Sequence, residues 1–304
     1  EESQSSARSQ HGRARSSATP ASVAGSPTAL DTQTAKRTRI VLVCMSPVSA
    51  TIVAESPAPA PAETGARVLS LRGLDAGYGG VPVVRGLDLD VAAGEVLALL
   101  GPNGAGKTTI LSTISGLLPK LAGEVEIDGR PTDARHPFRV ARRGVAHVAE
   151  DRSIFFGLTV MENLQVVADL PRRERRAAYD RAFDLFPVLR PLTARPAGLL
   201  SGGEQQMLAM ARAIITDPKL LLVDEMSLGL APVIVEQMMP VVRNVADTGA
   251  AVVIVEQHVH LALGLADRAT VIANGRVVVT GDADALRDDL TRIQESYFEG
   301  GVGD

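Results

Sequence analysis

The order of apolar and polar residues divides the chain near residue 66. Beyond that point, "VLSLRGLDAGY" and "GLDLDVAAG" alternate apolar and polar positions, which is typical of antiparallel strands with one solvated face. Three later segments, "EVLALLG", "KLLLVDE" and "AVVIVEQ", are continuous apolar runs that end in polar residues. Such runs predict parallel strands that are covered on both faces and carry ligands at their carboxyl ends.

Helical patterns lie between and after these strands. Residues 158–200 are predicted to be mostly helical, and Thr159 and Glu162 have the spacing of a capping box, which marks a helix start. Another helix is predicted to begin within the glycines of "LSGGEQQ", because the apolar residues that follow recur at helical spacing. We therefore expect an α/β fold with a mostly parallel core sheet, an N-terminal antiparallel β subdomain and a helical insertion.

Residues 1–66 differ in composition from the rest of the chain. They are rich in Ser, Ala, Pro and Thr and contain one short apolar patch, "IVLVCM", which buries too little to offset the entropy of ordering. We predict a disordered or linker extension here and one folded domain over residues 67–304. The extension is either a natural linker or upstream sequence ahead of a start at Met45.

Net charge, cysteine content and the length of the apolar runs limit which molecules and compartments the chain is suited to. The net charge is -4, so no global basic field draws the chain to nucleic acid or anionic lipid, and anion binding must be local. The single cysteine, Cys44, cannot form an intrachain disulfide and fits a reducing cytosol. No apolar run approaches the roughly 18 to 20 residues of a membrane span, so a membrane function would require another subunit to cross the bilayer.

The strongest local signal is "GPNGAGKTT", which follows the strand "EVLALL" and leads into a helical pattern. It matches the G-x-x-x-x-G-K-S/T loop, whose backbone N–H groups wrap phosphates. Lys107 is predicted to pair with the β and γ phosphates, and Thr108 to hold Mg²⁺. The nucleotide-binding residues predicted here are Gly101, Pro102, Asn103, Gly104, Ala105, Gly106, Lys107, Thr108 and Thr109.

Two adjacent carboxylates, Asp224 and Glu225, end the buried strand "LLLV". Acidic pairs are usually only solvated, but a phosphate loop in the same chain favours a role for both. Asp224 is predicted to support the Mg²⁺ shell, and Glu225 to polarise an attacking water. Together with the phosphate loop, the pair predicts nucleotide hydrolysis.

With these elements, "LSGGEQQ" makes the chain resemble the ATP-binding subunits of ABC transporters over residues 67–304, because other P-loop classes such as kinases lack this signature. The resemblance implies an ABC-type P-loop NTPase that binds ATP and Mg²⁺ and hydrolyses ATP. It also implies a head-to-tail homodimer or heterodimer, in which Ser201, Gly202 and Gly203 contact the γ phosphate of the second subunit's ATP. The other implied partners are polytopic permease subunits and, indirectly, a substrate-binding protein, at the cytoplasmic face of the plasma membrane.

Single positions extend the resemblance. Tyr78 lies where the family has an aromatic that stacks on adenine. Glu150 replaces a glutamine that contacts Mg²⁺ and the attacking water in most members. Counting back from Asp267 places Gln257 at the γ-phosphate histidine of the family, with His258 as the alternative. The resemblance thus implies catalytic residues Lys107, Glu225 and Gln257 and metal ligands Thr108, Glu150 and Asp224.

Two segments leave their roles open. In "SLGLAP", which corresponds to the family's interface-crossing segment, Leu230 replaces the usual Asp, so no side-chain role is assigned there. The arginine-rich "PRRERRAAYDRAFDLF" is interpreted as a solvated helix face or as a dock for membrane subunits or lipid headgroups.

Two differences from most family members, Glu150 and Gln257, indicate a subfamily. Together with "LSGGEQQMLA", "SLGLAP" and the ending "IQESYFEG", they resemble the ATPases of branched-chain amino acid importers. ATPases of urea, amide and lipopolysaccharide systems are alternatives, as is a non-transport ABC switch protein. One phosphate loop, one signature and a short insertion favour transport over the switch proteins, and the signature disfavours a P-loop kinase.

Overall fold

The computed structural model of the protein describes residues 66–132, 136–167, 170–289 and 291. The predicted extension up to residue 65, with Cys44, and the ending "IQESYFEG" lie outside the described residues. The strands are β1 (Arg67–Tyr78), β2 (Val81–Ala92), β3 (Val96–Leu100), β4 (Lys120–Ile127), β5 (Arg130–Pro131), β6 (Val145–Val148), β7 (Leu220–Asp224), β8 (Ala251–Val255), β9 (Arg268–Ala273) and β10 (Arg276–Asp282). The α-helices are α1 (Lys107–Ile114), α2 (Pro137–Ala141), α3 (Val160–Val167), α4 (Arg172–Leu185), α5 (Gly202–Ile214), α6 (Pro232–Asp247), α7 (Val259–Leu265) and α8 (Ala283–Asp288).

The first sheet has the order β2-β1-β4-β5, and all its pairs are antiparallel. The antiparallel subdomain predicted from the alternating pattern is thereby confirmed. In β2 the buried positions Leu87, Leu89 and Val91 alternate with more exposed ones, as expected. In β1, however, the run 68–71 is buried without a break, so side chains on both faces of this central strand are covered there.

The second sheet has the order β10-β9-β3-β8-β7-β6. The pairs from β9 to β6 are parallel, and only the β10 edge is antiparallel. Every residue of β3, β7 and β8 is buried, which confirms the prediction of parallel strands covered on both faces. Since parallel strands end at the same edge of a sheet, the residues after β3, β6, β7 and β8 are brought together there.

The segments that flank this sheet form its two cores. Val96, Ala98 and Leu100 of β3 pack in one apolar cluster, whereas Leu97 and Leu99 pack in the other. This division follows from the alternation of side chains along a strand.

The segment between β6 and β7 is helical, with α3, α4, short 3-10 turns at 187–192 and 197–199, and α5. The capping box predicted at the start of α3 is present, since the Thr159 N–H donates to Glu162 Oε2 at 2.8 Å and the Glu162 N–H donates to Thr159 Oγ1 at 3.2 Å. Fully buried Asn163 accepts from the Phe155 N–H at 2.9 Å and donates to carbonyls of the same loop. These bonds fix the path of the chain between β6 and α3.

In the part of the chain that the structure describes, no helix combines the length and apolar character needed to cross a bilayer.

Candidate nucleotide-binding site

The loop between β3 and α1 can be formed only with glycine at two of its positions. Gly101 and Gly106 have φ of 151° and 102°, which side-chain-bearing residues rarely adopt. A Cβ on Gly101 would lie 2.1 Å from the Ile272 carbonyl oxygen, and one on Gly106 would lie 2.6 Å from Val84 Cγ2. The loop therefore runs close to its neighbours and delivers the chain directly into the N-terminus of α1, as phosphate binding requires. Its exposed residues are Pro102, Asn103, Gly104 and Thr108, and its buried ones are Ala105, Gly106, Lys107 and Thr109.

Lys107 lies buried beneath this loop, with 5% of its surface exposed. Its ammonium group donates to the carbonyl oxygens of Gly101 at 2.8 Å and Pro102 at 3.0 Å. Burial lowers the pKa of Lys107, while the nearby carboxylates of Glu225 and Asp224 oppose that shift. The side chain is thus a cation held beneath the phosphate loop and near the acidic pair.

Asp224 ends β7 and is 1% exposed. Burial raises its pKa to about 6; the Thr108 hydroxyl opposes the shift, Glu225 and Glu150 add to it, and Lys107 opposes it. Thr108 therefore lies near the carboxyl group, yet neither carboxylate oxygen accepts a hydrogen bond of good geometry. A buried carboxylate without a partner has the donor chemistry of a ligand for a hard cation.

The other two residues predicted as metal ligands, Thr108 and Glu150, both act on the pKa of the Asp224 carboxyl group. Glu150 lies two residues beyond β6 and is exposed. No cluster of three or more His, Cys, Asp or Glu residues that could hold a metal occurs within residues 66–132, 136–167 and 170–289. The set nevertheless fits Mg²⁺, which is bound by one or two carboxylates and completes its shell with water and phosphate oxygens.

Glu225 and Gln257 meet at the same edge of the sheet. The Gln257 Nε2 donates to Glu225 Oε2 at 2.8 Å, although the two residues are separated by 32 positions. Glu225 has φ of 45°, and its N–H donates to the Val255 carbonyl at 2.9 Å. The left-handed backbone turns the chain sharply after the strand, and the turn leaves the Glu225 side chain beside the end of β8.

The histidines after Gln257 have different surroundings. His258 is the N-cap residue of α7 and makes no side-chain capping bond. Its charge lowers the pKa of Glu256, so its ring lies near Glu256. The assignment of Gln257 as the γ-phosphate residue stays a prediction, and the hydrogen bond to Glu225 supports it.

Glu256 is a residue that the sequence analysis did not identify. It is 2% exposed, and its carboxylate oxygens accept from the Ser227 N–H at 3.1 Å and from the Ser227 hydroxyl. Burial raises the pKa of Glu256, and the two Ser227 hydrogen bonds oppose that shift. The consecutive residues 256 and 257 therefore hold both Ser227 and Glu225. Glu256 could have been identified from the sequence, because it is an acidic residue at the end of a buried apolar run, the same signal that identified Asp224.

The signature segment begins α5, as its pattern predicted. Ser201 is the N-cap residue: its N–H donates to Glu204 Oε2 at 2.7 Å, and its hydroxyl accepts from the Glu204 N–H at 3.3 Å. Ser201 and Gly202 are exposed, and Gly203 is half-buried. The first turn of a 13-residue helix, with its free N–H groups and positive dipole end, therefore faces outward.

Tyr78 and the arginine-rich helix lie elsewhere on the surface. Tyr78 ends β1 and is 55% exposed, so a face of its ring is available for stacking. On α4, Arg173 pairs with Glu174 at 3.2 Å and Arg176 with Asp180 at 4.0 Å. These exposed pairs fit the interpretation of a solvated helix face.

Comparisons with known proteins agree with the geometry. The family model described as "ABC transporter" matches residues 84–227. The high-affinity branched-chain amino acid transport ATP-binding protein BraG of Pseudomonas aeruginosa is 37% identical over 224 residues, which are 73% of this chain and 96% of the relative. The lipopolysaccharide export system ATP-binding protein LptB of Escherichia coli is 33% identical over 227 residues, 73% of this chain and 93% of the relative. A solved structure of an ATP-binding subunit of an ABC transporter superposes with a TM-score of 0.68 at 26% identity and covers 77% of this chain and 99% of its own.

Proposed function

Because the chain belongs to the ABC transporter ATP-binding family and is the ATPase subunit of a transporter, we propose that it powers the import of branched-chain amino acids. The observation that carries this proposal is the 37% identity to BraG over 96% of that relative's length. The competing functions are export of lipopolysaccharide and import of urea or amides. An ATPase subunit does not contact its cargo, so the choice rests on this similarity rather than on the site.

In the proposed reaction, the phosphate loop binds the triphosphate of ATP, and Lys107 pairs with its β and γ phosphates. Thr108, Glu150 and Asp224 would hold Mg²⁺, which when bound would neutralise the charge that develops on the phosphates. The Glu225 carboxylate accepts a proton from the attacking water and is oriented by Gln257, whose amide donates to it at 2.8 Å. Tyr78 stacks on the adenine ring.

The proposed unit of function is a head-to-tail dimer of two ATP-binding subunits. What supports it is the start of α5, where the exposed Ser201 side chain and the first-turn N–H groups of Gly202 and Gly203 can meet a ligand outside this chain. In the dimer, this turn and Gly203 would contact the γ phosphate bound by the second subunit. Such a dimer would associate peripherally with polytopic permease subunits at the cytoplasmic face of the plasma membrane, and an external substrate-binding protein would deliver the cargo to them.

The proposal is tested by purifying the chain with its own membrane partners and reconstituting the complex in proteoliposomes. Leucine-loaded binding protein should stimulate ATP hydrolysis, whereas urea and short amides should not. A complex that contains Lys107→Ala is the control and should show no stimulation. Failure to copurify with a polytopic membrane protein would contradict the transport assignment, and stimulation by another cargo would contradict the amino acid assignment.

A further inference from the structure

Arg152 lies beside the first turns of α5 and has no part in the site described above. Its Nε donates to Gln206 Oε1 at 3.0 Å, and its Nη1 donates to Gln205 Oε1 at 3.0 Å. The remaining nitrogen, Nη2, lies 3.6 Å from the position that a Cβ on Gly202 would occupy. Two of the three guanidinium nitrogens are therefore held by α5, and the third, Nη2, approaches the exposed turn of the signature.

The charge of Arg152 is not neutralised within the described residues. Every ion pair found among them involves other side chains, and both partners of Arg152 are neutral amides. An arginine cannot lose its proton in a protein. A half-buried cation held by amides alone keeps its charge available to an anion that approaches α5.

The backbone around Arg152 is held in a demanding conformation. Arg152 and Ser153 have φ of 65° and 45°, and residues other than glycine adopt such values only where the surroundings impose them. Arg212 of α5 supplies one restraint, because its guanidinium donates to the Ser153 carbonyl and lies 5.0 Å from the centroid of the Phe155 ring. The loop that carries Arg152 is thus attached to α5 at two points and keeps its position relative to the signature turn.

We propose that Arg152 binds the γ phosphate of the ATP held by the second subunit. This inference rests on the proposed function, in which Ser201, Gly202 and Gly203 face that nucleotide. The three signature residues are neutral, and the switch position carries Gln257, which cannot become cationic. Arg152 supplies the positive charge that this side of the phosphate otherwise lacks, with the fork geometry that suits phosphate oxygens.

In this proposal, the loop from Glu150 to Arg152 contacts one ligand in its own subunit and another in the second subunit. Glu150 is a proposed ligand of the metal bound by its own chain, and Arg152, two residues later, contacts the nucleotide bound by the other. A short, restrained loop of this kind responds to both nucleotides, so dimer closure and metal binding become coupled through it.

The test compares Arg152→Gln and Arg152→Lys in a Glu225→Gln background, where ATP is bound but hydrolysed slowly. Light scattering measures dimerisation with Mg-ATP, and a fluorescent ATP analogue measures binding to the single chain. We expect Arg152→Gln to weaken ATP-dependent dimerisation by about ten- to hundredfold, to leave single-chain affinity within about twofold, and to flatten the salt dependence of dimerisation. Arg152→Lys should retain part of the dimerisation, because it keeps the charge.

The outcomes separate the proposal from its alternatives. Undiminished dimerisation in Arg152→Gln overturns the assignment. Equal losses in the Gln and Lys variants, with an unchanged salt dependence, show that Arg152 only tethers the loop and overturn it as well. Ser201→Arg, which places a bulky side chain on the signature turn, is the control for the proposed function. If it dimerises normally with ATP, the signature turn does not face the second subunit's nucleotide and the head-to-tail arrangement is wrong. If it fails while Arg152→Gln dimerises normally, only the role of Arg152 is wrong.

Discussion

Replacing Gln257 by alanine removes the amide that donates to Glu225 Oε2 at 2.8 Å. A hydrogen bond to a charged group contributes about 1.5 to 3 kcal/mol, which corresponds to roughly a ten- to hundredfold change in rate when the bond acts in the transition state. Because Gln257 orients the base and makes no contact with the phosphate loop among the hydrogen bonds described, Gln257→Ala should lower kcat by this factor. The affinity for ATP should change little.

The matched control is His258→Ala, at the next position along the chain. His258 makes no side-chain capping bond to α7, and the hydrogen bond to the Glu225 carboxylate comes from Gln257, so removal of the His258 ring should cost little. The measurement is the ATPase rate of wild type and both variants from pH 5.5 to 8.5. A glutamine cannot titrate, so the wild-type profile should lack a limb from a histidine near its ordinary pKa of about 6.5. A collapse of the rate in His258→Ala, with normal turnover in Gln257→Ala, would refute the assignment.

Three further changes probe the phosphate loop, the base and the buried imidazole. Lys107→Ala removes the cation beneath the loop and should abolish tight ATP binding in calorimetric titration; retained micromolar affinity would count against the nucleotide site. Glu225→Gln should preserve ATP binding, lower turnover by about 10² to 10⁴, and accumulate an ATP-bound dimer in light scattering, whereas a monomer with Mg-ATP would contradict both roles. Burial lowers the pKa of His147 to about 4, so the unfolded chain binds the proton more readily and the free energy of unfolding falls as the pH drops below about 6.5. Between pH 7.5 and 4.5 the loss attributable to His147 is about 2.5 kcal/mol, and urea unfolding of wild type and His147→Gln should show it as a difference in pH dependence; identical pH slopes would exclude it.

The elements that the sequence predicted correctly depend on local patterns. The buried runs of β3, β7 and β8 and the capping box at Thr159 involve residues at most four positions apart. The unbroken burial of 68–71 could not be predicted in the same way, because it depends on what the tertiary fold packs against the two faces of β1. The pattern of β4 did not predict a strand either, because its pairing with β1 is set by tertiary structure rather than by its own polar pattern.

In the candidate site, too, only contiguous sequence patterns could be predicted. Glycine spacing and the acidic pair identified the phosphate loop and Glu225 because these signals are contiguous in the chain. The contacts between Gln257 and Glu225 and between Glu256 and Ser227 join residues that are 32 and 29 positions apart, and only the parallel order of β7 and β8 brings them together. Arg152 carries no motif of its own, and its relation to α5 becomes visible only through the two glutamine side chains that it binds.

The buried carboxylate of Asp224, which accepts no hydrogen bond of good geometry, favours cation binding but lowers the stability of the ligand-free fold. An acid that is buried beside Glu225 and near Glu150, with its pKa raised to about 6, opposes folding in the chain without ligand and favours whatever cation relieves it. Asp224→Asn should therefore raise the melting temperature of the ligand-free chain in differential scanning calorimetry while Mg²⁺-dependent turnover is lost; a lower melting temperature would contradict this reasoning. A programme of directed evolution that screened ligand-free variants for heat resistance would accordingly select inactive proteins at this position.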